Sequence, residues 1–132
     1  MKRGYIDTSV LVALHFGQSE ARRAARILRS LDMAISVNII VPELLATLKR
    51  EGRPLQEADS LLGRISVFSP TEPLRKHCEE ALAAGALRGA DLWHVAAAIA
   101  IAGPRRRHDL QFASFDQRQQ EIARNLGFAI PT

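Results

Sequence analysis

Short apolar runs alternate with longer amphipathic segments along the whole chain. In the first long segment, Ala24, Ile27 and Leu28 recur at helical spacing, and the arginines lie off that stripe. The apolar runs predict five strands, at residues 4–7, 33–35, 65–68, 110–114 and 128–130. The segments between them predict helices from residue 10, at 20–31, within 37–50, and at 55–64, 71–84, 91–102 and 117–126.

Alternation of single strands with helices predicts an α/β fold. The expected architecture is a mostly parallel central sheet of about four to five strands, flanked by helices on both faces. In such sheets, ligands bind outside the carboxyl ends of the strands. Residues that directly follow strands are therefore the first candidates for function.

Several polar or special residues mark the ends of the predicted helices. Thr8 or Ser9 is expected to cap the first helix, and Ser36 and Thr71 are expected to cap two later ones. Gly127 is expected at the end of the last helix. Pro42 interrupts a helical pattern, so that helix is expected either to begin at Pro42 or to kink there.

Composition narrows the class of protein. The chain has 132 residues, of which 47% are hydrophobic and 24% charged, as expected for one globular domain with one core. No transmembrane helix or signal peptide is expected. The single cysteine, Cys78, excludes an internal disulfide and a multi-cysteine zinc site, and it favours a cytoplasmic location. The net charge of +4 is compatible with nucleic acid or an acidic protein as partner.

Four acidic residues lie in apolar surroundings, each at a strand end or near a helix start. They are Asp7 in GYIDTSVLV, Glu43 in IIVPELLATL, Asp91 in GADLWHVAAAIA and Asp116 in FASFDQ. Any one of them alone is explained by capping a helix. Gathered at one sheet edge, however, they would repel each other unless a hard cation such as Mg²⁺ or Mn²⁺ bound them. Such a site suits hydrolysis of phosphodiesters.

The motifs DTSV, PELL, GADLWHVAAA and SFDQRQ, in this order and spacing, resemble those of the PIN-domain nucleases, and most closely VapC-type toxins of bacterial toxin–antitoxin pairs. The likeness covers essentially the whole chain. It implies a single PIN-like domain over residues 1–132 and a Mg²⁺- or Mn²⁺-dependent endoribonuclease activity. Carried over, the metal and catalytic residues are Asp7, Glu43, Asp91 and Asp116. A small antitoxin and a second copy of the chain are the implied protein partners, with RNA as substrate and no membrane.

Polar residues beside the acids have open roles. By the same resemblance, Ser9 and Ser114 would hold a carboxylate or a bound water in place, although either could simply cap a helix or a turn. Thr8 is expected to be purely structural. His94 is expected to pack or form hydrogen bonds rather than bind metal, and Trp93 to pack at a helix contact.

Two groups of arginines are candidates for contacts with phosphate or with an acidic partner. One is the run Arg105, Arg106 and Arg107, and the other is the helix face formed by Arg22, Arg23, Arg26 and Arg29. Either group could equally be a solvated surface.

Three other functions fit the same pattern less well. A PIN-like nuclease could serve RNA processing rather than act as a toxin. A phosphatase or a receiver-like domain also places acids at a parallel sheet edge, but a receiver needs a lysine near a late strand, where this chain has arginines. A binding module that has lost catalysis is disfavoured because all four acids are present.

Overall fold

The computed structural model describes residues 1–131. The strands are β1 (Arg3–Ile6), β2 (Met33–Val37), β3 (Ser66–Phe68) and β4 (Leu110–Ala113). The helices are α1 (Thr8–His15), α2 (Ala21–Ser30), α3 (Ile40–Arg50), α4 (Glu57–Leu62), α5 (Arg75–Ala84), α6 (Gly89–Ala102) and α7 (Gln117–Asn125), with a 3₁₀ turn at Arg107–Asp109. None of the helices within these residues is long and apolar enough to cross a bilayer.

The four strands form one sheet in the order β3-β2-β1-β4, and every pairing is parallel. Tyr5 in the central strand β1 lies opposite Ile35 on one side and Phe112 on the other. The prediction of an α/β fold with a mostly parallel sheet is therefore confirmed.

Helices cover both faces of the sheet. Neighbouring residues along a strand point to opposite faces, so Tyr5 and Phe112 join one apolar cluster while Ile6 and Ala113 join another. The first cluster is built with residues of α5, α6 and α7, and the second with residues of α1 to α4. This explains why the strands read as continuous apolar runs rather than as alternating ones.

Two expectations about helix starts are wrong. The helix around Pro42 does not begin at this residue, because α3 begins at Ile40 and Pro42 lies in its first turn, where a missing N–H costs nothing. Ser36 does not cap that helix, since it lies inside β2 with its side chain fully buried.

Two other element boundaries also differ from expectation. Thr71 caps no helix, because α5 begins only at Arg75, after a segment that holds Pro70 and Pro73. Prolines disfavour helical geometry in the residues before them. The fifth predicted strand reduces to a single parallel bridge between Gln111 and Ala129.

Chain topology places one pair of strand ends together. The chain runs from β1 outward to β2 and β3, and then crosses back through α5 and α6 to place β4 on the other side of β1. The direction of winding therefore reverses between β1 and β4, and ligands of parallel sheets bind at the carboxyl ends of the strands where such a reversal occurs. Asp7 follows β1 directly, and Asp116 follows β4 after two residues.

Candidate active site

Asp7 is the residue that caps α1. Its backbone is extended, and its Oδ2 accepts a hydrogen bond from the Ser9 N–H at 3.0 Å. Its own N–H donates to the Ala113 carbonyl at 2.9 Å, which extends the pairing of β1 with β4. The expectation that Thr8 or Ser9 caps this helix is therefore wrong by one or two residues. Asp7 is only 6% exposed, so a buried carboxylate does end the first strand.

Asp116 repeats this arrangement on the neighbouring strand. It caps α7, and its Oδ1 accepts from the Gln119 N–H at 2.9 Å. Unlike Asp7, Asp116 is exposed. Capping occupies one oxygen of each aspartate, which leaves the second oxygen of each for other chemistry.

Asp91 lies in the first turn of α6, and the other three acids affect its pKa. Burial raises the pKa of Asp91, and the charges of Asp7, Asp116 and Glu43 raise it further, while His94 lowers it. Like charges have this effect only when they lie near each other. The structure therefore brings all four predicted acids to one place, at the carboxyl ends of β1 and β4. This place is called the acidic edge below.

Glu43 lies in the first turn of α3, and other side chains contact one of its two carboxylate oxygens. Its Oε1 accepts from the Thr8 hydroxyl at 2.6 Å and contacts His94 Nε2 at 2.7 Å. Burial alone would raise the pKa of Glu43, but the hydrogen bonds from His94 and Thr8 together lower it below its usual value. Glu43 is therefore ionised at neutral pH. Thr8, which was expected to be purely structural, thus contacts a candidate site residue through its hydroxyl.

His94 connects the acidic edge to the core. Its side chain is fully buried, with Nε2 also 3.2 Å from the Thr8 hydroxyl and 3.6 Å from Asp7 Oδ1. Its Nδ1 lies 2.6 Å from the hydroxyl of Tyr5. The hydrogen-bonding role that the sequence favoured for His94 is thus what the structure shows. Tyr5 was missed because nothing local separates it from the other apolar residues of its strand.

The two serines bind backbone and side chains at the strand ends. The Ser9 hydroxyl accepts from the Phe115 N–H at 3.1 Å, so Ser9 contacts Asp7 only through its backbone. The Ser114 hydroxyl accepts from the Asp116 N–H at 3.1 Å, and it lies 3.5 Å from Asp7 Oδ2. Both serines therefore join the end of β1 to the end of β4.

Gln119 is a further residue of this junction that sequence reasoning missed. It is fully buried, its Oε1 accepts from the Ser114 hydroxyl at 2.6 Å, and its Nε2 donates to the Asp91 carbonyl at 3.3 Å. One signal could have found it. An aspartate cap followed three residues later by glutamine is a capping-box pattern, in which the glutamine turns back toward the preceding chain.

The four acids fit a divalent cation by donor type, because carboxylate oxygens are the ligands that hard cations prefer. Within residues 1–131, however, no three His, Cys, Asp or Glu side chains are already grouped closely enough to hold a metal ion. Their effect on the pKa of Asp91 shows that they repel each other. Drawing them into a ligand shell therefore requires a cation to offset that repulsion.

The predicted phosphate-binding arginines lie away from the acidic edge. The run Arg105–Arg107 follows the C-terminal end of α6, and Asp91 lies in the first turn of the same helix, so about 17 Å of helix separates the two. Arg107 also pairs with Glu80 and donates to the Leu126 carbonyl at 3.2 Å. On the other basic face, the guanidinium of Arg23 lies 5.4 Å from the centre of the Phe115 ring, close to Asp116 in the chain.

Trp93 packs against the apolar cluster on the α6 side of the sheet, as expected for a helix contact. Its indole N–H also donates to Asn38 Oδ1 at 3.3 Å, just beyond the end of β2.

Comparison with known proteins identifies the family. No curated protein matches the chain. The family description of the PIN domain matches residues 4–125, which include all four acids and every strand except the first residue of β1. This match covers nearly the whole chain and agrees with the parallel sheet and the acidic edge. The chain therefore belongs to the PIN-domain family.

Proposed function

We propose that this protein is a Mg²⁺- or Mn²⁺-dependent endoribonuclease and the toxin of a type II toxin–antitoxin pair. PIN domains are generally nucleases and typically use divalent metal ions. The observation that carries the proposal is the placement of the four acids. Asp7 and Asp116 cap the helices that follow β1 and β4. His94 contacts both Asp7 and Glu43, and Gln119 contacts the carbonyl of Asp91 at the same junction. Four acids gathered at the winding reversal of a parallel sheet form the kind of site that a cation and a phosphate would share.

Each acid would have a defined part. A bound cation would activate water and neutralise the charge that develops on the phosphate during hydrolysis. Asp7, Asp91 and Asp116 would hold that cation directly or through water. Glu43, which is ionised and anchored on Oε1, would complete the set and orient the attacking water.

Partners and location extend the proposal. The net charge of +4 supports a polyanionic substrate such as RNA. A small acidic antitoxin, a homodimeric state and a cytoplasmic location complete the proposed role.

The nuclease activity is tested with purified protein, structured RNA and either Mg²⁺ or Mn²⁺. Wild-type protein should cut the RNA, and Asp7→Asn and Asp91→Asn should stop the cutting. Asparagine caps helices as well as aspartate does, so Asp7→Asn should remain folded. Asp59→Asn, at an exposed carboxylate of α4, is the matched control and should cut normally. Unchanged cutting by both site variants would refute the assignment.

The toxin role needs a separate test in cells. Induced expression of the wild-type chain in a bacterial host should stop growth, and expression of Asp7→Asn should not. If a short reading frame lies next to the gene and encodes the antitoxin, its co-expression should restore growth. If purified protein cuts RNA but its expression leaves growth unaffected, a role in RNA processing replaces the toxin role.

A further inference from the structure

The side chains of Phe112, Tyr5 and His94 form a chain of contacts that links the core of the protein to Glu43. The ring of Tyr5 stacks on Phe112 with centroids 5.3 Å apart and an interplanar angle of 10°, so its position is set by the pairing of β1 with β4. Its hydroxyl contacts His94 Nδ1 at 2.6 Å, and His94 Nε2 contacts Glu43 Oε1 at 2.7 Å. Tyr5 and His94 are both fully buried.

The position of each hydrogen in this chain of contacts follows from which end group can donate and which can only accept. Glu43 is ionised and can only accept, and the Thr8 hydroxyl already donates to the same oxygen. The hydrogen between His94 and Glu43 therefore belongs to Nε2. The Tyr5 phenol has one O–H, which lies 2.6 Å from His94 Nδ1 and can donate to it. We therefore assign Nδ1 as the acceptor from Tyr5 and Nε2 as the donor to Glu43.

This assignment gives His94 a role other than metal binding. A ring nitrogen that carries a hydrogen cannot bind a cation, and the other ring nitrogen faces Tyr5 inside the core. What the ring can do is restrain Glu43, whose side chain is 29% exposed and is held on the same oxygen by the Thr8 hydroxyl.

We propose that His94 is a positioning residue of the acidic edge. Tyr5 selects its tautomer, and its Nε2–H fixes one oxygen of Glu43, so that the other oxygen is directed toward the cation. The inference rests on the proposed function for the identity of the cation site. In many metal sites, a neighbouring side chain holds a metal-binding residue in place by a hydrogen bond. Loss of that neighbouring side chain typically weakens metal binding by about 10- to 100-fold.

The first test reads the tautomer directly. Long-range ¹H–¹⁵N correlation spectra of ¹⁵N-histidine-labelled protein, recorded without metal, identify the His94 signals by their loss in His94→Gln. Wild-type protein should show the Nε2–H tautomer, and Tyr5→Phe should shift the Nδ1 resonance. A wild-type ring protonated at Nδ1, or at both nitrogens at neutral pH, would overturn the proposal.

The second test measures Mn²⁺ affinity by calorimetry. The amide of glutamine reaches the place of Nε2, whereas that of asparagine reaches only the place of Nδ1. His94→Asn should therefore weaken Mn²⁺ binding by about tenfold or more, and His94→Gln should stay within about threefold of wild type. Val95→Ala, a buried neighbour on α6, controls for lost packing and should bind Mn²⁺ normally.

The outcomes separate this inference from the proposed function. If wild-type protein binds Mn²⁺ and His94→Asn binds it equally well, or if glutamine and asparagine are equally harmful, His94 does not position Glu43. If wild-type protein binds no Mn²⁺ at all, the proposed cation site is refuted and with it the purpose of the restraint. The tautomer spectra then still decide whether Tyr5 sets the state of His94.

Discussion

Thr8 and Glu43 are the first-turn residues of two different helices, and they meet across 2.6 Å, with the Thr8 hydroxyl donating to Glu43 Oε1. Thirty-five positions separate them in the sequence. The contact joins the segment that follows β1 to the segment that follows β2, so the orientation of Glu43 depends on both.

Replacing Thr8 by valine removes the hydroxyl but keeps the shape of this buried side chain. The carboxylate of Glu43 then loses a donor, and we expect the free energy of unfolding to fall by about 1–2 kcal/mol. Urea unfolding at neutral pH measures the change. Thr8→Ser, which keeps the hydroxyl, is the control, and equal stability of the two variants would show that the hydrogen bond contributes nothing.

Removing the charge of Asp91 should stabilise the protein in the absence of added metal. A raised pKa means that the folded state holds the proton more tightly than the unfolded chain does, so ionisation of Asp91 opposes folding at neutral pH. Asp91→Asn should therefore unfold at a higher temperature than wild type at pH 7. This advantage should shrink as the pH falls through the folded pKa, and it should vanish below the unfolded value.

In the same melting experiment, Glu43→Gln should have the opposite effect on stability from Asp91→Asn. Since its pKa is lowered in the folded state, ionised Glu43 supports folding at pH values above its unfolded pKa, and this support is lost as the pH falls through the folded pKa. The glutamine variant should be less stable than wild type at pH 7 and equal to it in strong acid. Parallel pH curves for the two variants would contradict both assignments.

Gln119→Leu should destabilise the junction between β4, α6 and α7. The change leaves the buried Ser114 hydroxyl and the Asp91 carbonyl without this amide partner, which should cost about 1–3 kcal/mol. Denaturant unfolding gives this value, and amide hydrogen exchange should show faster exchange at Asp116. Gln117→Leu, two residues earlier and exposed, serves as the control. Comparable losses in both variants would argue against a specific role for Gln119.

We expect Arg107 to contribute to stability, and Arg105 and Arg106 to contribute to RNA binding. Arg107→Ala removes the contacts with Glu80 and the Leu126 carbonyl, and it should lower the free energy of unfolding by about 1 kcal/mol. Arg105→Ala and Arg106→Ala remove exposed side chains and should leave stability unchanged. RNA binding measured at several salt concentrations tests the predicted phosphate contacts, which should weaken together with the salt dependence in these two variants.

The fold class could be predicted from the sequence because short apolar runs between amphipathic segments suit a buried parallel sheet and little else. Boundaries were less predictable where local signals competed. Thr71 has the chemistry of a cap, but Pro73 follows it within two residues and delays the helix to Arg75.

The candidate site was predictable only as far as its acids. Asp7, Glu43, Asp91 and Asp116 each stand out because a carboxylate in apolar sequence needs a reason. His94 stands out only as a polar residue on an apolar helix, and Tyr5 does not stand out at all. Their contact could not be predicted, since 89 positions separate the two residues. Only the folded chain shows that the phenol and the imidazole meet.

The helices that carry the four acids have one further consequence for the substrate. Asp7 and Asp116 cap α1 and α7, and Glu43 and Asp91 lie in the first turns of α3 and α6, so four helices begin at the acidic edge. Each helix start carries the equivalent of roughly half a positive charge in its unpaired N–H groups. The backbone itself therefore offsets part of the negative field that a phosphate would meet at this edge.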